Sequence, residues 1–586
     1  MVTYNDLAVG LREPHPGADL EVSSQADAVV ERLTTGAETW AGTPLGERVA
    51  LLERFGALVA EQAEEWVTTA RRIKQLPADS PLVGEEWISG PWAVLTYVPA
   101  LAETVRRLDR GDDVLAGFRT HPAPGDRVAV DVLPHSTYDK LLLNGYRAEV
   151  WMQPGVTETA MRRDAGLALR DPATFGGCAL VLGAGNIFSI APLDVLYQLY
   201  ADNRAVVLKL NPISDPLCEV FEAIFAPFIE LGVVEIVRGG ADLGSALAHH
   251  PGIDAVHMTG SERTHDAIVW GAGEQGEAAK AAGAPLLDKP ITSELGGVAP
   301  VIVVPGAWSR ADLRHQARHI ATQRLHNSGF NCIAAQIVVL SADWSQKEEF
   351  LTELRRALAA APARPAWYPG CADRVTDARA AHPGAEAVGG TDDRTLLTGL
   401  DLAAGEDSAF RTEYFSPVLG VAELPGTGAE FLTAAVGASN RHLHGTLGAN
   451  LVVHPHTVKQ LGDVLEEQIA RLEYGTVGVN AWTGLGYLTA HATWGAFPGH
   501  PLDDVQSGRG VVHNALLLDR TERTVVRGPF RPAPRAILHG EWTISPRPPW
   551  FVDNRTAATT GRLLTRFAAR PRWRSLPAIF ASAVRG

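Results

Sequence analysis

Cys332, in the string HNSGFNC that begins at His326, stands 38 positions after Glu294 in SELGG. A thiol and a separate carboxylate are what a chain needs to capture a carbonyl carbon on sulfur and then release it to water. A free cysteine by itself points more readily to core packing, since the residue type is among the most buried. This one lies in a Gly/Asn/Ser turn just past an expected helix, a position that suits a reactive sulfur better than a core one. The other strings that could share its site decide between the two.

The elements that must position these groups follow a strand–helix alternation from about residue 178. CALVLGAG (178–185), AVVLKL (205–210), VVEIVRG (233–239) and IDAVHM (253–258) are short apolar runs. Between them, helices are expected over 192–203, near 219–231 and near 243–249, the first with Val195, Leu196, Leu199 and Tyr200 on one side. Such interleaving predicts a largely parallel, doubly wound sheet with ligand crevices at the carboxyl ends of its strands. A second series opens after Glu294: VAPVIVVP (298–305), a helix capped by Ser309 and running to about Leu325, the Cys332 turn, and QIVVLS (336–341). Residues 1–150 read as mostly helical, with Val49, Leu52, Phe55, Leu58 and Val59 marking one buried face of a helix in 46–73. The stretch 120–136 reads as a Pro-broken, irregular or short-strand connection.

Further strings could bind a dinucleotide. LGAGN (182–186) lacks the third small residue of a dinucleotide fingerprint, Phe188 standing there instead, but Asn186 directly follows a buried strand. TGSER (259–263) places backbone N–H groups and the Ser261 hydroxyl at a helix start, where an anion or a plain serine cap are equally good readings. Lys209 ends a sheet strand within reach of a ribose or phosphate, or of solvent.

Asn186, Lys209, Thr259-Gly260-Ser261, Glu294-Leu295-Gly296-Gly297, Cys332, Glu413-Tyr414-Phe415-Ser416-Pro417 and GTVGVN (475–480) occur in this order on the expected elements. As a set, over roughly residues 45–527, they resemble the aldehyde dehydrogenase superfamily. The resemblance implies an α/β fold of two doubly wound domains, cofactor and catalytic, plus a β-arm used for oligomerisation. Along the chain it implies N-terminal helices and a dinucleotide-binding domain over 1–293, with an arm strand near 146–158, and a catalytic domain over 294–490. A return segment and second arm strand (513–527) fall within 491–527, and a basic C-terminal extension covers 528–586. It further implies that Cys332 is the nucleophile, Glu294 the base that activates the deacylating water, and Asn186 the amide that binds the oxyanion with the Cys332 N–H. Lys209, Thr259, Gly260 and Ser261 would contact the ribose and phosphate of NAD or NADP, Glu413 the nicotinamide ribose, and Phe415 the nicotinamide; no metal is implied. The activity implied is oxidation of an aldehyde to a carboxylic acid through a thiohemiacetal and a thioester, in a homodimer or homotetramer.

The sequence departs from the family pattern in places. Gly185 stands where tryptophan is frequent, Phe330 where glutamine is, Val298 where lysine is, and Pro212 where a glutamate often favours NAD. These positions shape the aldehyde tunnel and the choice between the two dinucleotides. Rival readings are a CoA-acylating enzyme, against which the water-activating Glu294 argues, a cysteine (thio)esterase pairing His326 with Cys332, and a catalytically silent scaffold.

The bulk composition fits two or three domains of an ordinary globular protein: 586 residues, 46% hydrophobic and 20% charged. Four cysteines without CxxC spacing, and no signal pattern or long apolar run, lead to the expectation of a cytoplasmic protein. A net charge of −15 disfavours nucleic acid, yet from residue 516 onward thirteen arginines face only four acids. That segment is expected to lie on the chain's own acidic body. The alternative is that Arg562, Arg566, Arg570, Arg572 and Arg574, with Leu563, Leu564, Phe567 and Trp573, make peripheral membrane contact.

Overall fold

A computed structural model describes residues 16–390 and 393–586. Two sheets organise them. The first has six strands in the spatial order 508–509, 291–295, 255–260, 178–182, 205–209, 234–237, all parallel except the two-residue edge. Cys178–Leu182 and Ala205–Lys209 are buried nearly end to end, which is why they read as unbroken apolar runs rather than alternating ones. In this sheet the chain winds outward from Cys178–Leu182 in one direction, then returns to its other side with Ala255–Gly260. The carboxyl ends of those two strands flank the reversal point, where open α/β sheets leave a crevice. Asn186 and Ser261 sit in the loops that leave those ends.

The second sheet has eleven strands, seven of them consecutive and parallel: 521–527, 476–479, 448–452, 299–303, 335–341, 418–424 and 395–401. The arm expected at 146–158 and 513–527 appears as Arg147–Met152 and Thr521–Arg527, paired antiparallel. The stretch 120–136 adds a hairpin to it, Thr120–Ala123 with Arg127–Leu133. Thr521–Arg527 also pairs in parallel with Thr476–Val479, so the arm continues the sheet of its own chain.

Leu45–Ile73 forms the expected helix, with Val49, Leu52, Phe55 and Val59 buried and Leu58 partly so. The helix Arg310–Leu325 carries a complete capping box between Ser309 and Asp312. One boundary moves. Glu294 lies on Ile291–Leu295, the last long strand of the first sheet, so that unit closes after residue 295 rather than at 293.

The extension beyond residue 527 braces the body, as its charge balance suggested. Arg531 is buried and forks onto Asp312 at 2.7 and 3.0 Å, while Arg535 reaches the same carboxylate at 2.8 Å. Phe551 stacks on His315 and His319. The helix Ala557–Ala569 packs on Val83–Trp87 and its Arg562 pairs with Glu64 at 2.6 Å. Leu563, Leu564 and Phe567 cluster with Tyr138, Leu141 and Leu142 against the protein, while Trp573 stays 60% exposed beside Tyr138. Among the described residues no helix is long and apolar enough to cross a membrane.

Candidate active site

The turn that presents Cys332 is held under strain. After Leu325 the chain enters a tight turn in which Asn327, Ser328 and Gly329 all have positive φ (54°, 58° and 83°). Left-handed backbone costs a non-glycine residue roughly 1–2 kcal/mol, and it persists only where neighbours over-determine it. Here they do. Asn327 N–H donates to the buried Glu85 at 2.9 Å, and its side-chain amide donates to the carbonyls of Asn186 (3.1 Å) and Phe330 (3.0 Å). Arg324, 1% exposed, donates to Gly329 O at 2.7 Å and Ala335 O at 3.2 Å from beneath. Glu85 in turn is gripped by Arg364 at 2.7 Å. A helix near the N-terminus thus fixes the thiol loop.

Cys332 keeps part of its surface accessible, whereas the other three cysteines are buried and all four are unpaired. Burial, then the Glu294 carboxylate facing it, pushes its thiol well above the ordinary value. Glu294 is 1% exposed, and burial pushes it up to about 7 despite Cys332 and Trp494 beside it. Asn186 donates one amide hydrogen to Phe330 O at 3.0 Å, two residues before Cys332 in sequence. Its second hydrogen is the one a carbonyl oxygen bound at sulfur could use. Thiol, carboxylate and amide therefore come together from three different elements.

Glu413 approaches from the second sheet. Burial pushes it up to about 7 against the pull of Arg324, Arg374 and His444, and its Oε1 is buried without a hydrogen-bond partner. A Cβ on Gly296 would fall 2.0–2.2 Å from this carboxyl group, which accounts for a glycine there. Phe415, at φ 41°, places its ring 5.8 Å from that of Phe330, and Arg374 holds the carbonyls of Tyr414 and Phe415 at 2.7 and 3.1 Å.

The remaining expected residues line the end of the first sheet. Lys209 is 7% exposed at the end of its strand, and burial lowers its ammonium against the pull of Asp215 and Asp242. Ser261 caps the helix Glu262–Val269, its Oγ accepting from Thr264 N at 3.2 Å. Gly260 is exposed beside it. Thr259 turns inward and donates to Asp194 Oδ2 at 3.2 Å. The orphaned Glu413 oxygen, the glycine cradle at 296 and the capped helix start suit a dinucleotide lying from Ser261 toward Cys332. His326 does not serve the thiol: its ring packs on Trp482 and lies 3.8 Å from Glu85.

Arg324, Arg374, Trp494, Tyr487 and Asp194 are site neighbours that sequence reasoning passed over. Asp194 alone left a signal, as the one carboxylate in the otherwise apolar helix PLDVLYQLY.

The aldehyde dehydrogenase family matches residues 188–371 of this chain. N-succinylglutamate 5-semialdehyde dehydrogenase 1 of Caulobacter vibrioides is 27% identical over 340 residues, 56% of each chain. The mouse dimeric NADP-preferring aldehyde dehydrogenase is 27% identical over 182 residues, 31% of this chain and 36% of its own. The chain thus spans only about half the length, or less, of these relatives. Among solved structures, an indole-3-acetaldehyde dehydrogenase of P. syringae superposes with a TM-score of 0.56 at 20% identity, covering 86% of this chain and 89% of that one. A γ-glutamyl-γ-aminobutyraldehyde dehydrogenase of Burkholderia cenocepacia gives 0.55 at 21%, covering 86% and 88%. Over residues 188–371 the chain thus matches the aldehyde dehydrogenase family, and its fold is that of solved aldehyde dehydrogenases.

Proposed function

We propose that the chain oxidises an aldehyde to a carboxylic acid with NAD or NADP, through a thioester on Cys332. The observation that carries this reading is the partly accessible Cys332 facing the buried Glu294, with Asn186 anchored to the same loop. Glu294 takes the thiol proton as sulfur bonds to the aldehyde carbon, and the Asn186 amide with the Cys332 N–H stabilises the oxygen. Such a donor is worth about 3–4 kcal/mol in comparable sites. The bound dinucleotide would supply a hydride acceptor, held by Lys209, Ser261 and Glu413 with Phe415 against its ring. Once Glu294 has given up the thiol's proton, it draws a proton from water as the water oxygen attacks the thioester carbon; the C–S bond breaks, the sulfur takes that proton from Glu294, and the acid leaves.

The acylating and esterase alternatives find no comparable support. Glu294 equips the site for water, and His326 is engaged by Glu85, Asn331 and Trp482. A homodimer or homotetramer in the cytoplasm completes the proposal; four unpaired cysteines fit a reducing compartment, and light scattering of the purified protein checks the assembly. Membrane contact through the extension is the weaker reading of that segment, because Leu563, Leu564 and Phe567 face Tyr138, Leu141 and Leu142, leaving Trp573 as the one exposed ring of the proposed patch. The direct test is reduction of NAD and NADP across short, long and aromatic aldehydes. Cys332→Ala should abolish it, and turnover retained in that variant would overturn the mechanism.

A further inference from the structure

Beneath Glu294, three strands and one helix bring ionisable side chains to a single buried patch. His257 pairs with Thr292 and Thr259 with Glu294 in parallel register, so all four project from the same face of the first sheet. The helix Ile190–Tyr200 sets Asp194, 0% exposed, over them. Asp194 Oδ2 accepts from Thr259 at 3.2 Å and lies 3.5 Å from His257 Nε2. From the strand Val511–Asn514, His513 Nε2 comes within 3.9 Å of Asp194 Oδ1. Tyr487 packs on His513 and shares a 2.6 Å hydrogen bond with Ser189. On its far side His257 Nδ1 meets Thr292 Oγ1 at 2.9 Å. Thr292 is only partly buried, and its methyl faces Gly510, which lines a cavity of about 230 Å³.

Asp194 Oδ1, His257 Nε2, His513 Nε2 and both Glu294 oxygens are buried with no hydrogen-bond partner in the protein. Buried polar atoms are mostly partnered in folded proteins, so several gathered at one place call for a role. Five such atoms gathered at Asp194 and Glu294, leading to the partly buried Thr292, make a poor core and a good conduit for protons.

We propose that Asp194, His257 and Thr292 form a relay that carries the proton taken up by Glu294 out to the cavity beside Gly510, with His513 flanking Asp194. This rests on the function proposed above. Oxidising an aldehyde with a dinucleotide and water releases a proton at every turnover, and it must leave a deeply buried base. Glu294 feels the Asp194 charge but makes no direct hydrogen bond to it, so one proton enters at Glu294, crosses to Asp194 through intervening water, and moves on to His257 Nε2. The proton on His257 Nδ1 moves to Thr292 Oγ1, and the threonine's own proton goes to solvent; no electrons move. These are positioning residues, acting through Glu294.

The test uses the full chain at saturating aldehyde and dinucleotide, in stopped flow. His257→Gln keeps a hydrogen-bonding side chain but cannot shuttle, and Thr292→Val removes one hydroxyl at the solvent end. The expected result is a first turnover within about twofold of wild type, a steady state slower by about tenfold, and recovery of His257→Gln with added imidazole. Should His257→Gln fail to fold, Thr292→Val carries the test. Steady-state rates within twofold of wild type overturn the relay, as does an equal loss in both phases without imidazole rescue, which marks a structural role. Wild-type protein that reduces neither dinucleotide overturns the proposed function, and the relay with it; active wild type with matching variants overturns the relay alone.

Discussion

Glu294→Gln is the most informative perturbation of this site, because the carboxyl's displacement sets both an activity profile and a stability difference. Raising it from 4.5 to about 7 disfavours the ionised form by about 3 kcal/mol, at roughly 1.4 kcal/mol per tenfold. The folded chain therefore holds a proton between pH 4.5 and 7 that the unfolded chain has lost. The ionised carboxylate's cost to stability grows as the pH rises through that window and is fully present above about 7. Replacing the carboxylate with a neutral amide should stabilise the fold at pH 8 by up to about 3 kcal/mol, and make little difference near pH 4. Turnover should show the opposite trend. A base titrating near 7 is ionised in about one molecule in ten at pH 6 and nine in ten at pH 8, so wild-type turnover should rise about tenfold between them.

The groups facing this carboxyl are Cys332, Asp194, His257 and Glu413, so the apparent value belongs to the coupled set. Thermal unfolding at pH 4.5, 6 and 8, with turnover at the same three values, checks both trends. Glu294→Gln should lie about 10²–10⁴-fold below wild type and lose the rise with pH. A variant no more stable than wild type at pH 8, together with a wild-type rate already flat from pH 5.5, would refute the reasoning.

Three other perturbations test the framework. Gly296→Ala drives a Cβ into the Glu413 carboxyl group, and should raise the KM for the dinucleotide several-fold at an unchanged unfolding temperature, read by steady-state kinetics and calorimetry. Glu85→Ala leaves Arg364 and the Asn327 N–H unpaired in a buried place. Its expected cost is about 3–5 kcal/mol, measured by denaturant unfolding, with faster alkylation of Cys332 as the loop loosens. Arg531→Ala removes the fork on Asp312, which hydrogen bonds from Arg531 and Ser309 hold well below the usual carboxylate range although burial pushes it upward. Because Arg535 still pairs with Asp312, the variant should lose about 1.5–3 kcal/mol near pH 7. That gap should narrow as the pH falls below about 4, where the ionised Asp312 no longer favours the fold.

Much of this architecture is legible in the sequence because both parallel sheets are buried on two faces. VAPVIVVP and QIVVLS can be little else, and Ser309 with Asp312 writes out its own cap. Glu294 and Cys332 were legible as types, while their meeting was not, since it depends on two sheets docking at one crevice. The turn's strain was hidden as well. HNSG reads as an ordinary turn until Glu85, from an unrelated helix, is seen to hold it. The stretch 120–136 left irregular chain and short strand open, because Pro122, Pro124 and Pro134 mask a hairpin that gains its partners only at the edge of a larger sheet. Thr259 has a partner that the sequence did not disclose. Its place in TGS suggests an outward ligand contact, but alternation along the strand turns its hydroxyl toward Asp194.

Around the thiol, Cys332, Glu294 and Glu413 all lean toward their neutral forms, and burial is the first cause in each. A thiol so disposed is a poor nucleophile if it must create a new buried charge. Moving its proton onto Glu294 is a different step, because it exchanges one buried negative charge for another at nearly constant desolvation. On this account Cys332 is activated by an adjacent base and not by a lowered pKa. Glu294 therefore acts twice, first on the thiol and then on water. Glu294→Gln should slow the first turnover as well as the steady state, whereas His257→Gln and Thr292→Val should slow only the second. A first turnover untouched in Glu294→Gln would leave this carboxylate with the water step alone.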